Sequence, residues 1–380
     1  MPASKSGQRN LESKHDAALG ALKGAPVRGI VFTGDRELEL QTFPDPAPGP
    51  GEVVIEIKAS GMCGSDLKFY RRSKKGGEGA AALGFADPGE IIAGHEPCGV
   101  VAALGAGVRE NQAWVGMRVM QFHYDGCGVC AQCRAGWRQL CLNGVKTIFG
   151  VTGNGAHTKY LKCPADTLVP LPDELSFETG AAISCGTGTA WGALHRLGIA
   201  GDDTIAVFGQ GPVGLSATQL AAALGARVIA IDISPERLDA AKLLGADAVI
   251  NPRDTVDAVA AIRELTHGLG ADLSLDASSS PAARAHAVRC VRTWGKACFV
   301  GEGGDVTLDV SPDLLRRQVT LIGSWTFSIV GQAECARFVA DRKINVDALF
   351  TDRWRLDQAE EAYRVFDAQT RGKGVFTSFD

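Results

Sequence analysis

The sequence predicts an α/β chain that contains a doubly wound parallel sheet of the Rossmann kind. Two observations carry this prediction. A glycine-rich turn stands between an apolar strand and a helix, and short apolar strands then alternate with helical stretches as far as about residue 301.

Residues 204–232 read TIAVFGQGPVGLSATQLAAALGARVIAID. Ile205 to Phe208 form an apolar run of the type buried on both faces of a parallel sheet. Gly209, Gly211 and Gly214 follow in G-x-G-x-x-G spacing, enclosing Pro212 and Val213. Gly209 is expected to permit the tight turn, Gly211 the close approach of a pyrophosphate, and Gly214 the close packing of helix on strand. The free N–H groups of the helix start would face the phosphates. The next strand, Val228 to Ile231, ends in Asp232. Its carboxylate would accept hydrogen bonds from both adenosine ribose hydroxyls and repel a 2′-phosphate, so NAD is expected rather than NADP. A structural βαβ turn without ligand is the alternative. Further on, Ser234 reads as a helix N-cap, Pro235 as the first helical residue and Gly245 as the stop. Strands are predicted near 247–250, 271–277 and 296–301, and helices near 255–266 and 281–293.

The 380 residues allow two domains. Hydrophobic residues at 45% and charged residues at 22% are ordinary for a soluble globular chain. A net charge of −4 offers no basic excess for nucleic acid or an anionic membrane surface. No apolar run reaches the roughly 18–20 residues of a membrane span. The polar start lacks the apolar stretch of a secretory signal, so residues 1–25 are read as an extension and a cytoplasmic location is expected. Thiols stay reduced there, which makes the eleven cysteines candidates for metal ligation rather than disulfides.

Cys127, Cys130, Cys133 and Cys141 crowd into GCGVCAQCRAGWRQLC. Two-residue spacers let a turn aim several sulfurs at one point, as tetrahedral zinc requires, and Gly126, Gly128 and Gly136 supply backbone freedom. Four thiolates close the coordination sphere, so this site is expected to be structural. Chemistry would need a second centre with an open position. Candidates lie in Gly61-Met62-Cys63-Gly64-Ser65-Asp66, in Gly94-His95-Glu96, and in Ser184-Cys185-Gly186-Thr187-Gly188-Thr189. Taken alone, each cluster reads more readily as core filler or a surface or packing residue than as a ligand.

The order Cys-Gly-Ser-Asp, Gly-His-Glu, Cys-x2-Cys-x2-Cys-x7-Cys and G-x-G-x-x-G resembles the zinc-containing medium-chain alcohol dehydrogenase family, over nearly the whole chain after residue 27. The resemblance implies a GroES-like β-barrel catalytic domain over 26–185 with a structural zinc loop at 126–142. It further implies a Rossmann domain over 186–323 and a return to the catalytic domain over 324–380. It assigns Cys63, His95 and Cys185 to a catalytic zinc, a second zinc to the four-cysteine loop, and NAD to the glycine-rich turn. Ser65 would take the alcohol proton, Asp66 would orient the histidine, and Glu96 would be an alternate ligand or a nearby anion. Arg237 would support the adenosine ribose, with Thr189 and Val300 among the cofactor contacts. Where relatives often carry a relay histidine, this chain has Lys68, which can relay only if its pKa is depressed; contact with cofactor or solvent is the preferred reading. His123 and His157 are read as packing or barrel-edge residues, and Trp325 as a cleft residue or hinge anchor.

The implied reaction is hydride transfer between a secondary alcohol or polyol and NAD. Threonine-type amino alcohol oxidation and a non-catalytic zinc- and nucleotide-binding role are the alternatives. The insertion 71–90 is expected to rim the pocket. A homodimer or homotetramer is implied as well, without nucleic-acid or membrane partners.

Overall fold

The computed structural model describes residues 26–74, 89–368 and 372–380. The predicted extension and most of the 71–90 insertion lie outside the described residues. Two strands, β1 (Val27–Gly34) and β2 (Glu37–Phe43), make an antiparallel hairpin, and β3 (Glu52–Gly61) runs into the short helix α1 (Asp66–Arg71). Then come β4 (Pro97–Leu104), β5 (Arg118–Gln121), β6 (Tyr124–Asp125), α2 (Ala131–Arg134), β7 (Thr147–Ile148), β8 (Tyr160–Pro164) and β9 (Leu168–Pro170). Helices α3 (Phe177–Ile183) and α4 (Gly186–Leu197) lead into the alternating segment.

That segment comprises β10 (Thr204–Phe208), α5 (Pro212–Ala223), β11 (Arg227–Ile231), α6 (Pro235–Leu243), β12 (Ala248–Ile250), α7 (Ala258–Leu265), β13 (Ala271–Asp276), α8 (Pro281–Cys290), β14 (Val291–Phe299) and β15 (Thr320–Gly323). Its strands form one sheet in the order β12-β11-β10-β13-β14-β15, every neighbour parallel. This is the doubly wound sheet that the sequence predicted, and the order reverses beside β10, where such sheets bind ligands. Ile205 to Phe208 are buried throughout, because helices cover both faces of a parallel sheet.

Local signals hold at the helix ends. Ser234 Oγ accepts from Arg237 N, and Gly245 leaves α6 at φ 106°. Helix α8 stops three residues before the predicted end: Val291 is already extended, and β14 bulges through Trp294, at φ 66°, before regular pairing begins at Lys296. β-branched Val291 and the positive-φ turn take the chain off the helix, which a periodic apolar pattern alone does not reveal.

After α9 (Ile329–Asp341), the chain returns to the first half through β16 (Phe350–Arg355), α10 (Ala359–Asp367) and β17 (Lys373–Ser378). The second sheet runs β16-β17-β3-β4-β5-β9, with β8 also paired to β3. Pairing of Val375 with Gly61 and Phe376 with Ser60 brings the end of the chain beside the segment that carries Cys63. Among the described residues, no helix is long and apolar enough to cross a membrane.

Candidate active site and metal centres

The four-cysteine loop folds as its spacing requires. Sulfurs around a tetrahedral zinc lie about 3.8 Å apart if each bond is about 2.3 Å. Cys127 and Cys133 stand 3.9 Å apart, Cys130 and Cys141 4.0 Å. Backbone N–H groups of Val129 and Cys130 hold the Cys127 pKa down to about 6, while burial pushes Cys133 up to about 12. Four thiolates therefore need a cation among them, and the donor set suits zinc. Arg138 pairs with Asp125 and Asp166 beneath the loop. Gln139 Nε2 donates to Thr326 Oγ1 and Phe327 O, both at 2.7 Å, which ties the lobe to the segment leaving the parallel sheet.

The second cluster assembles from three distant segments. Cys63 follows β3, His95 precedes β4, and Cys185 lies between α3 and α4. Ligand atoms of Cys63, His95, Glu96 and Cys185 all fall within 4.8 Å of one another, and the two sulfurs are 3.8 Å apart. His95 Nδ1 lies 3.0 Å from Asp66 Oδ1, which turns Nε2 toward the sulfurs. Ser65 Oγ is 3.1 Å from His95 Nε2 and 3.2 Å from Cys63 Sγ. The hydroxyl thus sits at the point the donors face. A hydrogen bond from Cys185 holds the Cys63 pKa well down against burial, and Cys185 is raised in turn, so the pair shares one proton.

Glu96 is buried behind the cluster, 2.5 Å from Lys373 Nζ, and burial lifts its carboxyl to about 8 despite that partner. Lys373 Nζ also donates to Met62 O at 3.0 Å. Glu96 is thus a buried carboxylate with a basic partner, and its oxygens remain within reach of the sulfurs. Sequence reasoning missed Lys373, because a lone lysine near the C-terminus carries no local signal; only β17 pairing with β3 brings it here.

A cleft of about 830 Å³ joins this cluster to the glycine-rich turn: Cys63, Ser65, His95 and Cys185 line it together with Gly209, Gly211, Pro212, Val213, Asp232 and Arg237. Thr189 and Val300 also lie on its wall. Gly209 adopts φ 85°, which an L side chain rarely does. At Gly214 a Cβ would stand 1.7 Å from Gly209 O, so the close approach is to the turn itself rather than to the strand. Gly211 differs: among the described residues, nothing lies within 4 Å of where its Cβ would be, and its φ is −73°. Nothing among the described residues requires glycine there. Asp232 accepts from Gln210 N at 2.6 Å and Ser234 N at 2.9 Å, which fixes its carboxylate at the strand end. Arg237 Nη1 lies 3.9 Å from that carboxylate, mostly buried and not solvated on its helix.

The remaining candidates separate. Lys68 lines the cleft, but its Nζ pairs with Glu302 at 3.1 Å across it. His123 lines the cleft beside His95 and gives Nδ1 to Ser184 O at 3.0 Å, while burial lowers its pKa to about 3. Trp325 lines the cleft edge-on to Tyr124. His157 does not reach the cleft; it is buried between Ser60 and Tyr363.

Residues 49–173 match the family model described as the alcohol dehydrogenase GroES-like domain, and residues 212–341 that described as zinc-binding dehydrogenase. The chain is 38% identical to an uncharacterised zinc-type alcohol dehydrogenase-like protein of Escherichia coli (strain K12), over 90% of this chain and 96% of that one. It is 32% identical to a sorbitol dehydrogenase of Bacillus subtilis, over 88% of this chain and 92% of that one. Among solved structures it resembles acetophenone reductase from Geotrichum candidum in complex with NAD, with a TM-score of 0.79, 27% identity, and coverage of 94% and 98% of the two chains.

Proposed function

Because the chain belongs to the zinc-containing medium-chain alcohol dehydrogenase family, we propose that it oxidises a secondary alcohol or polyol to a ketone with NAD, and runs the reverse reduction. The observation that carries this reading is that a three-donor cluster with a hydroxyl at its open side shares one cleft with the glycine-rich turn. Similarity to a sorbitol dehydrogenase supports the polyol class.

Cys63, His95 and Cys185 would hold the catalytic zinc, which when bound acidifies the substrate hydroxyl as a Lewis acid. NAD in the glycine-rich turn supplies the hydride acceptor. Ser65 Oγ, among the ligand atoms, takes the alcohol proton outward. Asp66 holds His95 with Nε2 bare, and Asp232 with Arg237 grips the adenosine end. Lys373 balances the charge of Glu96 behind the sulfurs. Val213 and Val300 give the cleft an apolar wall that limits water around the transferring hydrogen. Lys68, engaged by Glu302, bridges the cleft rather than relaying protons.

Family membership also supports assembly as a homodimer or homotetramer. Strand β15 is the partly exposed edge of the parallel sheet, with Leu321 39% exposed, and an uncovered edge of this kind invites pairing.

The test is NADH formation by the purified protein with NAD⁺ and a panel of polyols, secondary alcohols, primary alcohols and threonine. Turnover is expected with polyols or secondary alcohols foremost. No NADH with any member would contradict the proposal, and turnover of threonine alone would replace its substrate class.

A further inference from the structure

Behind Asp66, away from the cleft, lies a buried polar chain that the reaction above does not use. Tyr363 of α10 donates its hydroxyl to Asp66 Oδ2 at 3.1 Å. His157, just before β8, places Nε2 2.7 Å from the Tyr363 oxygen, and Ser60 of β3 places Oγ 2.8 Å from His157 Nδ1. Asp66 Oδ2 also accepts from Cys63 N at 2.9 Å, and Oδ1 faces His95 Nδ1 at 3.0 Å. All these side chains are buried, and Ser60, His157 and Tyr363 do not line the cleft.

Hydrogen-bond capacity fixes every proton in the chain. An ionised Asp66 only accepts, so Tyr363 must spend its single hydrogen on it. The Tyr363 oxygen is then left to accept, which requires His157 Nε2–H. In a neutral imidazole that leaves Nδ1 bare, and the Ser60 hydroxyl fills it. Burial lowers the His157 pKa to about 4, in keeping with the neutral ring. At the other end, Asp66 Oδ1 stands 3.0 Å from His95 Nδ1, so Nε2 is the ring nitrogen turned toward Cys63 and Cys185. A single arrangement therefore satisfies Ser60, His157, Tyr363 and Asp66 Oδ2, four side chains drawn from four separate segments.

We infer that Tyr363, locked by His157 and Ser60, is a positioning residue for the metal centre. It sets the Asp66 carboxylate, which in turn presents His95 Nε2 to the ion. This rests on the reading of Cys63, His95 and Cys185 as zinc ligands. The chain ends at Ser60, fully buried and off the cleft, so its place is to hold a ligand rather than to lead protons to the substrate. Loss of groups that orient a metal ligand commonly costs 10–100-fold in metal affinity.

The test compares zinc release to an excess of chelator in wild type and Tyr363→Phe, with each zinc followed separately. The four-cysteine loop, remote from Tyr363, serves as the internal control. Expected is release from the His95 centre faster by about tenfold, the low end for such losses, with the loop zinc unchanged. Equal release in the two proteins overturns the inference, and so does acceleration at both sites, which would mark a merely structural role. Wild type that binds zinc in the loop alone would defeat the ligand reading itself, which a normal wild type with an unaffected variant would not. If Tyr363→Phe does not fold, Tyr363→Phe/His157→Phe, which removes the donor left unpaired, is measured in its place; failure of both to fold assigns the pair to packing and overturns the inference.

Discussion

Cys63 and Cys185 lie 122 residues apart in the chain and 3.8 Å apart in space. The geometry that joins them makes the roles of single residues testable. Cys63→Ser should leave a folded protein that binds NAD with unchanged affinity and has lost NADH formation by at least about a thousandfold, because one weak ligand removes the cation's hold on the substrate oxygen; unimpaired turnover would remove Cys63 from the centre. Lys68→Ala should leave the main inflection of the pH–rate profile in place, since Lys68 Nζ is engaged by Glu302 at 3.1 Å. Disappearance of that inflection would make Lys68 the proton exit. Cys63, His95 and Ser65 could be picked out in the sequence only through the order of motifs that the family resemblance supplies, since each motif alone fits a packing residue as well. Lys373, Tyr363 and Glu302 could not be, since their meaning comes only from strand pairing or cleft closure over hundreds of residues.

At the scale of elements, the turn between β10 and α5 discriminates a binding site from a mere βαβ connection. Gly211→Val adds a side chain into space the protein itself leaves empty, with φ already in the ordinary range. It should leave thermal unfolding nearly unchanged and weaken NAD binding more than about tenfold, or roughly 1.4 kcal/mol; titration calorimetry showing unchanged affinity would favour the unliganded reading. The four-cysteine lobe behaves oppositely. Through Gln139 it holds Thr326 and Phe327 beside the cleft wall, so Cys130→Ser should cost folding yield or assembly rather than turnover alone. A well-assembled but inactive Cys130→Ser protein would contradict that division of labour. The alternation of strands and helices and both ends of α6 could be read from apolar runs, turn glycines, prolines and caps. The end of α8 could not, because the bulge at Trp294 depends on the neighbouring strand β13.

For the whole molecule, two sheets meet at a cleft, and two buried histidines, His123 on its wall and His157 behind it, contribute to acid sensitivity. Burial depresses His157 to about 4 and His123 to about 3, below the ordinary value near 6.5. The unfolded chain therefore binds more protons than the native one in this range, so stability is full above about pH 6.5 and declines as pH falls toward 4. For His157 alone the loss is on the order of 3 kcal/mol at most. Urea midpoints should fall over that window, and fall less steeply in His157→Phe; an identical slope in the variant would clear His157 of any part in the acid sensitivity. One closed structural centre and one open catalytic centre in a single chain are tested most directly by counting metal. Zinc measured on the purified protein should come to two ions per chain in wild type and one in Cys63→Ser. A single zinc in wild type, or two retained in the variant, would contradict this division into two centres.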